Sequence, residues 1–333
     1  MSQSYAKEGV YQGEPAILLG FGDYSAVMLP RLGGNLIALR HETLGYKLLR
    51  EPEHNEWDSF VQRPSVHGIP VLVPPNRYED GKFTFDGREY SFPINEPATN
   101  NHLHGFVFNV PWDVADFGSS EQRSFVTVQL EFNERLAGFT HFPHRFTISI
   151  TYTLDGNGLT QQVDVANHGA TTMPLMLGFH TAVNAPFAPG SSPDDVKLRL
   201  TIGQRWELSE RMLPTGRTQP LSADEQRWID GDGSPYCAAL DNHYTAAPQA
   251  QLGNRMELTD DAAGVRLVYD AGTQYKHWMV WNNQISRQYF CPEPQTNLVN
   301  APNSPLSDEE TGLIALASGA SWSASSRMYI ERL

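Results

Sequence analysis

From Arg145 to Asn167 the chain alternates with a period of two on both sides of a tight turn, the pattern of an antiparallel hairpin and not of a helix. In RFTISITYTL, Phe146, Ile148, Ile150 and Tyr152 alternate with Arg145, Thr147, Ser149, Thr151 and Thr153. Successive side chains of an extended strand point to opposite faces, so the stretch makes one apolar and one polar face. Asp155-Gly-Asn-Gly158 supplies residues that tolerate the positive φ of a hairpin turn, and LTQQVDVAN alternates again from Leu159 to Asn167. Phe83 to Phe92 repeats the idea around Asp86-Gly87. Val126–Phe132, Val196–Ile202, Val265–Tyr269, His277–Trp281 and the closing SRMYIERL read as further strands. Helical signal is confined to short pieces, Ser222–Arg227 and Ser307–Thr311. Many short strands with few helices imply an all-β chain, a large antiparallel β-sandwich with few short helices.

The Pro/Gly/Ser-rich stretches Ala188–Asp194 and Asp230–Tyr236 are loops in length, not tethers, so one domain is expected over residues 1–333. Lys and Arg total 24 against 38 Asp and Glu, a formal charge of −14. With no basic patch or tail, neither nucleic acid nor an anionic membrane is an expected partner. No apolar run approaches the ~20 residues of a membrane-spanning helix. The start shows no charged segment followed by an apolar one, and Cys237 and Cys291 make no disulfide framework, so a reducing cytoplasm is the expected location. The acidic surface without an apolar seam fits a monomer or a dimer.

Generic motifs are absent: no G-x-S-x-G, no P-loop, no C-x-x-C. His102-Leu-His104 would place two imidazoles on one strand face, a geometry for a shared metal, but a cupin-type site would want a Glu a few residues on, and Val107, Phe108 and Asn109 stand there. His141 and His144 flank Phe-Pro in a turn-like segment. No metal is expected at either pair. Five polar residues stand out because they sit in apolar or Gly/Pro-rich surroundings, where a charge is costly unless it is used. They are Arg77, His104, His180, Asp241 and Glu293. Read singly, Arg77 and Asp241 could be a buried ion pair and His180 a satisfied core histidine. The segments around Arg77, His180 and Glu293 read as loops, and that around Asp241 as mostly turn.

In combination these segments resemble the aldose 1-epimerase (galactose mutarotase-like) family, from about Ala16 to Leu333. PRLGGNLIALR (Pro30–Arg40) is similar to that family's early Gly-Gly strand, PNRYEDG (from Pro75) to its N-R-x-x-x-G segment, and NHLHG (Asn101–Gly105) to its L-H-G segment, with Trp112 downstream. The order Phe-Pro-strand, Asn, Met-Pro, Gly-x-His follows the family through Phe142–His180, and EPQTN (from Glu293) resembles its Glu-Pro-x-Thr segment. The resemblance implies a supersandwich fold and an enzyme interconverting the α and β anomers of a free hexose such as glucose or galactose. It casts His180 as general acid, Glu293 as general base, and Arg77, His104 and Asp241 as holders of sugar hydroxyls, with no cofactor and no metal. The chain departs from the family after His180, reading Thr-Ala-Val-Asn where many members carry Tyr-Phe-Asn, which bears on sugar preference.

The residue types suit that chemistry. Mutarotation opens a hemiacetal and recloses it on the other face. A base takes the O1 proton while an acid protonates the ring oxygen O5, and the roles then reverse. A His and a Glu tuned upward by burial can both exchange protons near neutrality. An aromatic wall would cover the apolar face of the sugar ring. Trp112, Trp278 and Trp281 are candidates for it. Alternatives are a hexose-6-phosphate or modified-sugar 1-epimerase of the same fold, disfavoured because no basic cluster lies near the motifs, and a non-catalytic carbohydrate-binding protein, for which an acid and a base would be superfluous.

Overall fold

The computed structural model describes residues 4–284 and 286–333. The alternating hairpin is there: Phe146–Asp155 and Gly158–Asn167 pair in register, Ile150 opposite Val163, with their apolar sides buried. It lies at the centre of an antiparallel sheet of eight strands among the described residues. On one side follow Ser124–Phe132 and then Asp113–Ser119; on the other come Ser321–Arg332, Val265–Asp270, Arg255–Asp260 and Val196–Leu200. The chain thus closes its last strand against the hairpin, Val165 opposite Trp322.

A second large antiparallel sheet runs Pro214–Gln219, Ile202–Leu208, Asp241–Ala246, His277–Asn282, Tyr289–Gln295, Gly178–Phe179 and Val71–Leu72, with Val183–Asn184 also on Tyr289–Gln295. One hydrophobic core joins the two sheets: Ile148, Ile150 and Tyr152 from the first meet Trp278, Val280 and Phe290 from the second. An N-terminal meander, Tyr5–Tyr11, Glu14–Phe21, Tyr24–Leu29, Asn35–His41 and Tyr46–Lys47, adds Leu19, Met28 and Leu39 to that core. The all-β reading therefore holds. Helix Ala223–Asp230 begins at Ser222, whose hydroxyl accepts from the Glu225 N–H while the Glu225 carboxylate accepts from the Ser222 N–H, a capping box. Asp308–Thr311 is capped in the same way by Ser307 and Glu310.

Two strand readings are corrected. Val196–Ile202 is not one strand: it breaks at Thr201, Val196–Leu200 belonging to the first sheet and Ile202–Leu208 to the second. The Thr201 N–H and hydroxyl are held by Arg255 and Asn254, which pin the crossover between layers. Glu293 is not on a loop but in the strand Tyr289–Gln295, every residue of which is buried. Pro292 and Pro294 lie in register with Val280 and Trp278 on the neighbouring strand. On the other side the ladder is present only at its ends, Gly178 opposite Gln295 and Val183 opposite Phe290. The middle of that side therefore makes no use of the N–H groups that the two prolines lack. Helix Trp57–Gln62, which the sequence pattern does not announce, packs Phe60 under Val27, Leu29 and Ile37 of the meander.

Candidate active site

The interrupted ladder is where the site forms. Extending the register between Gly178↔Gln295 and Val183↔Phe290 sets His180 directly opposite Glu293. Directly opposed residues of antiparallel strands share a face, with Cβ atoms about 5 Å apart. The backbone of this segment bonds elsewhere, the His180 N–H to Pro70 O at 3.0 Å and the Ala182 N–H to Gly68 O at 2.9 Å. The side chains nevertheless meet: His180 Nε2 lies 3.2 Å from Glu293 Oε1. The same row continues through Met279 and His243. Alternation sends Trp278, Val280 and Phe290 into the core and leaves Met279, Trp281 and Glu293 on the opposite face, lining a cavity of about 310 Å³.

Arg77 and His104 reach this cavity from a short two-stranded ribbon, Arg77–Glu79 against Asn101–Leu103, with Arg77 opposite Leu103. His104 follows with φ +70° and its N–H bonded to Asn76 O at 2.9 Å, while Asn76 has φ +58°. Two non-glycine residues in the left-handed region, both on the cavity wall, mark a backbone held in place by its surroundings. Gly105 continues at φ +67°, and a Cβ there would lie 2.1 Å from Val73 O. The turn needs glycine at that position.

Asp241 opens the strand Asp241–Ala246, opposite Trp281. It stands at the start of an interior strand of the second sheet, not in a turn. Arg77 stands between two carboxylates, Nε to Glu96 Oε2 at 3.0 Å and Nη2 to Asp241 Oδ2 at 3.1 Å. Glu96 is fixed in turn by the Thr99 hydroxyl and the Asn101 amide. Arg77 and Asp241 thus form a part-buried ion pair on the cavity wall. Burial works against the Arg77 charge, but Asp241 and Glu96 outweigh it and hold the guanidinium above its ordinary value.

The pair at the centre is perturbed in opposite senses. Burial, reinforced by Asp241, pushes the Glu293 carboxyl well above its usual range, against the pull of Arg77. Burial, with Arg63 and Arg77 nearby, lowers His180 to about 4. His104, its ring edge-on to His180 at 5.2 Å, is pushed well below the ordinary imidazole value by burial and by His180. Both shifts favour the uncharged forms, the neutral carboxyl and the neutral imidazole, so the pair's shared proton rests on Glu293.

The structure brings all five sequence-flagged residues to one cavity, and separates other candidates from it. Of the three tryptophans only Trp281 forms a wall, 6.4 Å from the His180 ring. Trp112 is buried, its indole N–H donating to Val107 O, and Trp278 is buried with its N–H on Asn254 Oδ1. His102 and His104 do not share a face. The left-handed turn at His104 breaks the alternation, and the His102 ring packs between Phe92 and Phe106, with Nδ1 2.8 Å from Pro93 O. His144 Nε2 is 2.7 Å from the Tyr90 hydroxyl, and His141 lies stacked on Phe106. Three polar lining residues escaped the sequence reading. Asn76 was adjacent to Arg77 and of a type that tolerates positive φ. Arg63 and Ser65 follow a six-residue helix too short to show a period.

The aldose 1-epimerase family model matches residues 15–329. The chain belongs to that family. Among aldose 1-epimerase relatives, a galactose mutarotase from Rattus norvegicus is 30% identical over 170 residues, 50% of this chain and 46% of that one. An uncharacterized Escherichia coli protein is 23% identical over 201 residues, 60% and 59% of the two chains. The matched stretches thus span about half the length of these curated relatives. A galactose mutarotase-like protein from Clostridium acetobutylicum superimposes with a TM-score of 0.95 at 30% identity, covering 99% of both chains. A galactose 1-epimerase from Lactobacillus acidophilus shares the fold at a TM-score of 0.73, 15% identity and 99% coverage of both. No helix among the described residues is long and apolar enough to cross a membrane.

Proposed function

We propose that this protein is an aldose 1-epimerase interconverting the α and β anomers of a hexose. The observation that carries the reading is the buried His180–Glu293 contact of 3.2 Å, facing a monosaccharide-sized cavity. Both oxygens that exchange protons in mutarotation, O1 and O5, are attached to the same carbon, so one closely spaced acid–base pair can serve both. The shifts rest the pair's proton on Glu293, and its transfer across the 3.2 Å contact to His180 sets up the reactive state, in which Glu293 takes the O1 proton as His180 gives its own to O5, and the C1–O5 bond breaks. The aldehyde rotates about C1–C2. Glu293 then returns its proton to the carbonyl oxygen while His180 takes the O5 proton, and the ring recloses on the other face. Before and after, the pair holds one proton, so the two protonation states of a single contact suffice. Arg77, His104 and Asp241 supply hydrogen bonds to ring hydroxyls, and Trp281 covers an apolar ring face.

A second reading, a hexose carrying an anionic substituent, is favoured by one observation. The Arg63 guanidinium lines the cavity without a carboxylate partner among the described residues, whereas Arg77 has two. Ser65 lines the same cavity. Polarimetry on freshly dissolved α-glucose, α-galactose and their 6-phosphates tests both readings. Catalysed mutarotation of any of the four upholds the epimerase reading; rates equal to the spontaneous ones for all four contradict it and leave a binding protein. If the anionic reading holds, the phosphates have the lower KM. Arg63→Gln then raises the ratio of phosphate KM to free-sugar KM by about tenfold, the worth of one charge-assisted hydrogen bond. An unchanged ratio returns the function to neutral hexoses.

A further inference from the structure

The strand that carries Glu293 presents another reactive side chain that anomer interconversion leaves unused. Cys291 lies two residues earlier on the same face, fully buried against Ala182 and Tyr289. The register that sets His180 opposite Glu293 sets Ala182 opposite Cys291. Alanine leaves space there that a larger residue would fill. One ligand-capable atom from each of His180, Cys291 and Glu293 lies within 4.8 Å of the other two. Some point is then within about 2.8 Å of all three, since points no more than 4.8 Å apart fit a circle of radius 4.8/√3. Zinc bonds to nitrogen, oxygen and sulfur are about 2.0–2.3 Å long, so shifts of well under an ångström per side chain would close the set.

We infer that His180, Cys291 and Glu293 form a binding site for a thiophilic divalent cation, Zn²⁺, whose occupation inhibits the enzyme. An imidazole, a carboxylate and a thiolate make a donor set suited to zinc and unsuited to Mg²⁺ or Ca²⁺, which take oxygen ligands. Three protein ligands leave a fourth position, and the cavity beside His180 and Glu293 opens onto it. Glu293 Oε2 and His180 Nδ1 are buried without a protein partner, so a bound cation would compete with few existing contacts. Burial and the neighbouring Glu293 hold the Cys291 thiol protonated. Binding therefore expels protons and tightens as pH rises. Inhibition follows because the cation occupies the two side chains that move protons. That half of the inference rests on the proposed epimerase reaction; the binding half does not.

The test uses the full chain freed of metal. Co²⁺ is added as a spectroscopic probe and Zn²⁺ as inhibitor. Expected are a near-ultraviolet thiolate-to-Co²⁺ band, its displacement by Zn²⁺, and loss of anomer interconversion at micromolar Zn²⁺ that EDTA reverses and Mg²⁺ does not reproduce. In Cys291→Ala the band is absent, and the Zn²⁺ needed for half-inhibition rises by at least about tenfold, since a lost ligand costs no less than a lost supporting contact. Cys291→Ser keeps the side chain's connectivity, with oxygen in place of sulfur, should the alanine variant fold poorly. No band with wild-type protein, or equal Zn²⁺ inhibition with and without Cys291, overturns the site. A Cys291-dependent band without inhibition upholds the site and overturns the proton-moving role of the pair.

Discussion

Glu293 and His180 derive their chemistry from burial and from each other. Burial and Asp241 raise the carboxyl well above its ordinary range, and burial lowers the imidazole to about 4. The signs give a pH window. Below about 4 the pair gains a second proton and loses its base; above the raised Glu293 value it loses its only proton and with it the acid. A bell-shaped kcat/KM profile is expected, its acid limb near pH 4 and its alkaline limb above the normal carboxylate range. An acid limb near 6.5 would show that His180 titrates as an exposed imidazole. The charges facing this pair are Arg77, Asp241 and Arg63. Asp241→Asn should therefore lower the alkaline limb, because the carboxylate that raises Glu293 has gone. The residue identities were legible in the sequence because charged and imidazole side chains stood in apolar surroundings and in a family order. Arg63 was not, because nothing in DSFVQRPSV distinguishes a cavity arginine from a surface one.

The site at the level of elements is a gap in a ladder. His180 stands opposite Glu293 because the register on either side of the gap is continuous, and two prolines in the central strand leave that gap without donors to satisfy. Pro-Glu-Pro reads as a loop from sequence because proline is normally excluded from central strands. Only the tertiary pairing reveals that one side of this strand has no ladder to disrupt. The hairpin Phe146–Asn167, by contrast, was legible residue by residue, because one face is buried and the other solvated. The turn that delivers His104 provides a stability test. Gly105→Ala introduces a Cβ 2.1 Å from Val73 O at φ +67°, and the chain should lose about 2 kcal/mol or more in urea unfolding. Gly156→Ala, in a hairpin turn with nothing within 4 Å of the added Cβ, should change stability by less than about 0.5 kcal/mol. Equal effects would mean that the His104 turn is not conformationally demanding.

The molecule as a whole stores neutral histidines. Burial lowers His67, His102, His144, His180 and His277 to about 4, against an ordinary value of 6.5. Between those values the unfolded chain binds protons that the folded chain refuses, so stability rises with pH through this range and is lost as pH falls from 6.5 toward 4. Each site contributes on the order of 3 kcal/mol as an upper bound. Glu293 acts oppositely: its contribution is complete below the ordinary carboxylate value and fades as pH rises through its raised one. Five histidines outweigh one glutamate, so Tm should fall steeply between pH 6.5 and 4. A Tm flat across that interval would contradict the buried neutral state. The composition of the chain shows none of this. Eleven histidines and a charge of −14 are counts, and burial is what separates these five from a solvated imidazole.

The central claim, that one shared proton on the His180–Glu293 contact drives anomer interconversion, is tested most directly by measuring anomer exchange with wild type, Glu293→Gln and His180→Gln at saturating sugar, with binding followed separately. The account predicts that each substitution lowers exchange by about 10²–10⁴-fold while sugar still binds. Exchange within a few-fold of wild type in either variant would contradict it.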